Sequence, residues 1–215
     1  MTLAPVSGLW RAAWRTRSFR MRVFVTLPAL LAALFVLSRF LLAVEMRPGA
    51  VLSDPVLRLF APRDMTWLTF GFIYAGLIGA LVLLSRHPER CVLAFQAYIV
   101  MVVFRIIAMA LTPLDPPATI VALKDPFVEL FGTGSTLTKD LFFSGHTSTL
   151  FLLFLVMPTK ATRVVFLLCV LGVAACVLIQ HVHYSIDVYV APFFAYSAYV
   201  VARAVNARYF PINPM

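Results

Sequence analysis

Charged residues are scarce in this sequence. Only 13% of the 215 residues are Asp, Glu, Lys or Arg, whereas 62% are hydrophobic, and the mean hydropathy is +0.93. A soluble globular domain of this length usually has about twice that charged fraction. The composition therefore excludes an ordinary soluble domain and predicts an all-α, polytopic membrane protein.

Cysteine is also rare, and its spacing excludes two kinds of site. The three cysteines, Cys91, Cys169 and Cys176, each fall in or beside an apolar run, and no two of them form a CxxC pair. Such spacing supports neither a disulfide framework nor a thiolate metal site.

Six apolar runs divide the chain, and each approaches the ~20 residues that a helix needs to cross a bilayer. They lie near residues 23–44, 65–85, 91–111, 142–157, 164–182 and 188–202. No internal repeat or low-complexity tract interrupts them. We therefore expect a six-helix transmembrane domain over residues 23–208, after a basic cytoplasmic tail at 1–22 and before a short tail at 209–215.

Positive charges are unevenly distributed between the two ends of these runs. With the N-terminus in the cytoplasm, eleven Lys and Arg residues fall in inner segments and five in outer ones, while Arg39 and Arg105 lie within runs. This excess of inner positive charge predicts that both termini are cytoplasmic. It also explains the net charge of +9 without a nucleic acid partner.

Acidic residues have the opposite distribution. Of the nine Asp and Glu residues, only Glu89 falls on the inner side, and His146, His181 and His183 lie at the outer ends with the other acids. Surface solvation accounts for some of these acids, but it does not account for histidines at helix ends. We therefore predict a functional site at the outer face.

Two histidines and one aspartate form the core of this predicted site. His146 opens the fourth run and His183 closes the fifth, so both reach the same face. Asp187 follows His183 by four residues, which places the two side chains one turn apart if the segment is helical. The carboxylate can then accept the Nδ1–H of His183 and leave Nε2 as a nucleophile or base. His146 can act as general acid and base, and Asp140 lies six residues before it.

Other interpretations of these residues stay open. A histidine at a membrane interface often only caps a helix, and a His-Asp pair can be a buried polar clasp. The HVH sequence at 181–183 suggests a metal site, but residues two apart point to nearly opposite sides of a helix. No third and fourth ligand appears at a typical spacing. From the residues alone we predict a two-histidine acid-base or covalent site with no metal and no cofactor.

Four segments resemble a known family. KDLFFSGHT at 139–147 and HVHYSIDV at 181–188 look like the two active-site motifs of the sphingomyelin synthase family, within the lipid phosphate phosphatase (type 2 phosphatidic acid phosphatase) superfamily. RIIAMALTPLDPP at 105–117 is similar to that family's motif after the third span, and SDPVLRLFAPRD at 53–64 is a looser match to its first-loop motif. The resemblance covers about residues 20–205.

The resemblance implies a metal-free phosphotransfer with assigned roles. His183 would be the nucleophile and Asp187 its orienting acid, while His146 would protonate the leaving lipid alcohol and then deprotonate the acceptor hydroxyl. Asp140 would support this group, although Lys139 stands where the family has Gly.

Two departures from the phosphatase branch of the superfamily favour the transferase branch. The phosphatase branch carries a KxxxxxxRP motif, but Phe40 stands here where the Lys should precede Arg47-Pro48. Its Ser-Arg before the second histidine motif is also missing. Other cations must then meet the phosphate charge, and Arg105 is the first candidate and Lys139 the second.

Three more residues complete the predicted substrate-binding set. Ser144, with the glycine after it, would let backbone N–H groups at a helix N-terminus approach the phosphate. Tyr184 lies beside the second histidine motif. Glu129 corresponds to the family's upstream glutamate, although it is closer to Asp140 than the family pattern has it.

The resulting prediction is an enzyme that moves phosphocholine or phosphoethanolamine from a glycerophospholipid to ceramide or a similar lipid alcohol. Its partners would be this phospholipid donor and the alcohol acceptor. A lipid phosphatase or phospholipase C-like hydrolase would use the same residues with water as acceptor. A non-enzymatic membrane protein or lipid transporter with a proton relay is a third alternative. The short loops favour a bacterial inner-membrane protein with a periplasmic site.

Overall fold

The computed structural model describes residues 5–124 and 137–209, and in these ranges the chain forms helices and no strand. Seven α-helices follow one another in the described residues: α1 Val6–Arg15, α2 Arg17–Met46, α3 Thr66–Leu84, α4 Pro88–Leu111, α5 Gly145–Val156, α6 Lys160–Ile179 and α7 Ser185–Tyr209. A 3₁₀ turn at Leu57–Leu59 lies between α2 and α3. The prediction of an all-α protein is confirmed.

Five of the described helices are long and apolar enough to cross a membrane. These are α2, α3, α4, α6 and α7, which contain 19 to 30 residues. α5 has only 12 residues, or about 18 Å of length, which is less than the ~30 Å hydrocarbon core of a bilayer. Several apolar helices support an integral membrane protein, while the count of six spans, the cytoplasmic termini and the outer site stay predictions.

One segment differs from its predicted form, while the described part of the tail predicted at 1–22 contains α1 and the first residues of α2. The expectation that His183 closes a helix is wrong, because α6 ends at Ile179 and α7 begins at Ser185. His181 has a φ of 55°, in the left-handed region that commonly follows a helix C-terminus, and this ends α6 before the second histidine motif.

Small residues determine how α7 packs against α4. Every third or fourth residue on one buried face of α7 is alanine: Ala191, Ala195, Ala198 and Ala202. Across the contact lie Ala97 and Met101 of α4. Small side chains let membrane helices approach closely. Asp187 begins the same buried face, so this packing places its carboxylate inside the bundle.

Two arginines hold the C-terminal end of α5. Arg90 donates to the carbonyl oxygens of Val156 and Met157 at 3.1 and 3.0 Å, and Arg163 donates to that of Met157 at 3.1 Å. The last carbonyls of a helix need partners outside it, and cations suit that end of the helix dipole. α5 is therefore held in place by α4 and α6 although it is short.

The segments that follow α2, α4 and α6 meet at one end of the bundle, which we call the loop end. Ala50 and Leu114 form an isolated parallel bridge, in which the Ala50 N–H donates to Pro113 O at 2.9 Å. Gln180, just after α6, accepts the Met65 N–H at 3.1 Å and so fixes the start of α3. α5 and α7 both begin at this end, so their first turns lie next to one another.

Candidate active site

The N-terminus of α5 forms one side of the candidate site. Ser144 caps the helix, and its Oγ accepts the Thr147 N–H at 3.4 Å. Serine suits this position because it pairs an N–H that the helix start leaves open. The Ser144 N–H donates to the backbone oxygen of Asp187 at 3.1 Å. The first turn of α5, which contains His146, is therefore tied to the first turn of α7.

His183 and Asp187 form the opposite side. Nδ1 of His183 lies 3.2 Å from Oδ2 of Asp187, and both side chains are buried. The same Oδ2 accepts the Tyr184 N–H at 3.3 Å, which holds the carboxylate beside the ring. The ring centroids of His146 and His183 are 6.3 Å apart, with an interplanar angle of 66°. One imidazole oriented by a carboxylate and a second imidazole facing it can together perform nucleophilic and acid-base chemistry.

A buried arginine lies across the start of α5. Arg105 of α4 is 7% exposed and forms an ion pair with Asp140. Its guanidinium also lies against Gly145, because a Cβ built there would overlap the guanidinium atoms. Burial raises the pKa of Asp140, but Arg105, with smaller contributions from His183 and His146, outweighs burial and lowers it. The site thus contains a cation at the start of α5, against the residue that precedes His146.

Two other predicted substrate-binding residues hold loops together. Nζ of Lys139 lies 2.7 Å from Oδ1 of Asp115 and donates to Arg47 O at 2.7 Å. The Tyr184 hydroxyl donates to Asp115 O at 2.8 Å and accepts the Leu52 N–H at 3.1 Å. Their polar groups are therefore used by the loop end, and direct contact with a substrate stays a prediction for both.

The remaining assignments concern Glu129 and a metal. Glu129 lies outside the described residues, so its role stays a prediction. Within 5–124 and 137–209, no three His, Cys, Asp or Glu side chains are arranged to hold a metal ion. His181 does not share a partner with His183, since its Nδ1 lies 2.6 Å from Oγ1 of Thr119. Metal independence of the reaction stays a prediction.

Sequence analysis misses one buried carboxylate, Asp54, in the loop after α2. Its Oδ2 accepts the Ser185 N–H at 2.6 Å, and its Oδ1 accepts the Ser185 hydroxyl at 3.1 Å and the Val56 N–H at 2.9 Å. Burial raises the pKa of Asp54, but these hydrogen bonds, led by the one from the Ser185 backbone, lower it overall. Its only sequence signal is its place in the looser first-loop motif, because capping across 131 residues of sequence leaves no local pattern.

The family comparison concerns the segment that carries both histidines. Residues 139–204 match the family model described as PAP2 superfamily C-terminal. This match supports the PAP2 superfamily. The matched segment runs from Lys139 through α5 and α6 into α7, and it contains His146, His183 and Asp187. It covers less than half of the chain, and no curated protein matches the chain.

The PAP2 match supports a lipid phosphatase- or phosphotransferase-type function. Arg105 and Asp54 lie before the PAP2 segment, so part of the candidate site comes from the N-terminal half of the chain. Assignment within the PAP2 superfamily, to the sphingomyelin synthase family, is a proposal.

Proposed function

We propose that the protein is an integral-membrane phosphotransferase that moves phosphocholine or phosphoethanolamine from a glycerophospholipid to ceramide or a similar lipid alcohol, with release of diacylglycerol. The observation that carries this proposal is the position of the His183 imidazole. Its Nδ1 lies 3.2 Å from Oδ2 of Asp187, and its ring centroid lies 6.3 Å from that of His146. We place the enzyme in a bacterial inner membrane, with the loop end on the periplasmic side.

In the first half-reaction, the P–O bond to diacylglycerol breaks. Nε2 of His183 attacks phosphorus and forms a P–N bond, while Asp187 holds the Nδ1 proton and stabilises the charge that develops on the ring. Protonated His146 gives its proton to the leaving glycerol oxygen. Arg105 stabilises negative charge on the phosphoryl oxygens.

In the second half-reaction, the acceptor alcohol replaces diacylglycerol. Neutral His146 takes the proton of the acceptor hydroxyl as that oxygen attacks phosphorus and the P–N bond breaks. This returns His183 to its neutral form and His146 to its protonated form. Because a covalent intermediate separates the two steps, one lipid leaves before the other enters. The burial of His183 and Asp187 limits attack by water on the intermediate.

A hydrolase is the second candidate. The PAP2 match supports phosphatase-type as well as transferase-type chemistry, and His146 would activate water as it would an alcohol. A lipid phosphatase or phospholipase C-like enzyme therefore needs no change in the residues above, only access of water to the phosphohistidine.

Labelled donors distinguish these candidates. Purified protein in detergent is supplied with headgroup-labelled phosphatidylcholine or phosphatidylethanolamine, with and without ceramide. Label in a new sphingophospholipid supports the transferase, and label only in soluble phosphocholine or phosphoethanolamine supports the hydrolase. No turnover of either donor would contradict both. EDTA is expected to have no effect, and a loss restored by added metal would contradict the metal-free mechanism.

Gly145→Ala is expected to lower kcat/KM for the donor by about 10- to 100-fold. The added Cβ displaces the Arg105 guanidinium, which then loses a charge-assisted contact with the phosphate. Gly79→Ala is the matched control, because a Cβ at Gly79 meets no atom within 4 Å and should leave turnover unchanged. Similar values of kcat/KM for the two variants would argue against this role of Arg105.

Asp54→Ala is expected to lower kcat by about 100-fold, because the start of α7 loses its acceptor and Asp187 shifts relative to His146. Asp64→Ala is the control, since Asp64 accepts the Thr66 N–H at 2.8 Å at the start of α3. Both variants should lower the melting temperature, but only the first should lower kcat. An equal loss of kcat in both would make Asp54 an ordinary structural cap.

The conservative variant and acid titration test the same residue further. Asp54→Asn keeps an acceptor oxygen and should recover part of the kcat. Because the pKa of Asp54 is lowered in the folded protein, its stabilising contribution is present at neutral pH and is lost as pH falls through that lowered value. Wild-type melting temperature should therefore fall more steeply in acid than that of Asp54→Asn.

A further inference from the structure

A cavity lies at the loop end, between the loop after α2 and the segment after α4. Its volume is about 590 Å³, within the range of small-ligand sites, and it opens to the surface. Much of its wall is aliphatic, with a few polar and aromatic groups. The polar and aromatic lining residues include Asp54, Phe60, Thr119, His181 and Tyr184. No step of the proposed mechanism described above uses this cavity.

His181 lines this cavity, and one nitrogen of its ring has no partner in the described part of the chain. The residue is 2% exposed, and its Nδ1 lies 2.6 Å from Oγ1 of Thr119. Its Nε2 is buried and has no hydrogen-bond partner among the residues that the structure describes. Buried polar atoms without partners are rare. The unpartnered Nε2 therefore indicates that a ligand completes the environment of this ring.

The charge and aromatic groups of the wall favour a cation over an anion. Asp54 lines the cavity, and its carboxylate is ionised at neutral pH, since burial raises its pKa but hydrogen bonds, led by that from the Ser185 backbone, lower it overall. The Phe60 ring lies 5.4 Å from that of His181, and aromatic faces attract ammonium groups. Arg58 also lines the cavity, but it is exposed and donates to the Ser53 hydroxyl.

The cavity adjoins the chain segment that carries the nucleophile. Tyr184 lines it and directly follows His183, and Asp54 in its wall binds Ser185 at the start of α7. In the proposed reaction the headgroup stays attached to phosphorus through both steps and points away from the lipid tails. The space beyond His183 at the loop end is therefore where a headgroup would extend.

We propose that this cavity holds the headgroup of the donor phospholipid and that His181 selects a primary ammonium, as in phosphoethanolamine. We assign His181 the tautomer in which Nδ1–H donates to Oγ1 of Thr119, which leaves the lone pair of Nε2 to accept an N–H from the ligand. Choline carries no N–H and cannot make this bond. The inference rests on the proposed function, because it assigns the headgroup of that reaction's donor.

The first test observes the ring directly and needs no turnover. The 215-residue chain contains four histidines, so ¹⁵N-histidine labelling gives few ring signals, which single His→Asn variants assign. Lysophosphatidylethanolamine is expected to shift the His181 Nε2 signal, and lysophosphatidylcholine to leave it in place. Equal shifts with both lipids, or none with either, would overturn the proposal. Soluble phosphoethanolamine should act only at about tenfold higher concentration, and equal potency would overturn the lipid as the source.

The second test measures donor selectivity. His181→Asn tolerates the left-handed backbone and its amide can still reach Thr119, but it places no atom at the Nε2 position. The ratio of kcat/KM for phosphatidylethanolamine to that for phosphatidylcholine should fall about tenfold, with the choline value unchanged. His181→Gln extends further and should keep part of the preference. An equal loss for both donors would show a structural role and overturn the proposal.

His87→Asn is the matched control for these variants. His87 is exposed and precedes α4, away from the loop end, so its substitution should change neither the ratio nor the His181 signal. The two tests also separate the headgroup site from the reaction. If labelled donors show no turnover but the His181 signal responds only to the ethanolamine lipid, the reaction assignment fails and the headgroup site stands. If label is transferred but the His181 signal does not respond to either lipid, the headgroup site fails and the reaction assignment stands.

Discussion

His183→Asn is expected to abolish turnover of phosphatidylcholine and phosphatidylethanolamine, with a loss of about a thousandfold or more. Nε2 of His183 is the atom that bonds to phosphorus in the proposed mechanism, and asparagine places no atom there. The measurement is the rate of label transfer, together with recovery of an acid-labile phosphoenzyme after rapid quenching of the wild type.

The control for this variant is His87→Asn, which removes a histidine remote from the site and should keep both the rate and the phosphoenzyme. Thermal unfolding should give the wild-type melting temperature for His87→Asn. The melting temperature of His183→Asn should be lower only by the effect of losing the His183–Asp187 contact. A phosphoenzyme that persists in His183→Asn would show that another residue is the nucleophile.

His146→Asn is expected to lower turnover of lipid donors by about 10²- to 10⁴-fold, the usual contribution of a general acid-base residue. A nitrophenyl ester of phosphoethanolamine should behave differently, because nitrophenolate leaves without a proton. The variant should then release about one nitrophenol per active site and stall, since the acceptor hydroxyl is no longer deprotonated. Stopped-flow absorbance measures this burst.

The same ester distinguishes the two histidines from each other. His183→Asn should release no burst, because no P–N bond can form. If the burst survives in His183→Asn and disappears in His146→Asn, the two roles are reversed. If both variants behave alike with lipid and with ester, neither assignment describes the chemistry.

The fold was predictable from apolar length where a helix is long and continuous. The runs that became α2, α3, α4, α6 and α7 each carry enough apolar residues to cross a bilayer, so composition alone indicates them. α5 differs because only 12 residues are helical, and its C-terminal end depends on Arg90 and Arg163 from other helices. Such support comes from packing, which no local pattern reveals.

The candidate site was predictable only in part. The four-residue spacing of His183 and Asp187 indicated a contact, yet the structure forms it with His183 outside the helix, where Asp187 also accepts the Tyr184 N–H. The contact of Arg105 with Gly145, and that of Asp54 with Ser185, join residues far apart in the chain. No alternation or spacing in the sequence encodes such contacts.

The sequence indicates a helical membrane protein with two histidine motifs, because hydrophobic length and residue order are local properties of the chain. The tertiary structure adds that the first turns of α5 and α7 meet, where the Ser144 N–H donates to the backbone oxygen of Asp187. It also shows that a buried arginine lies against Gly145 and that His181 lines a cavity at the loop end. These features depend on the close approach of helices and loops, which the packing of many residues sets together and no single segment specifies.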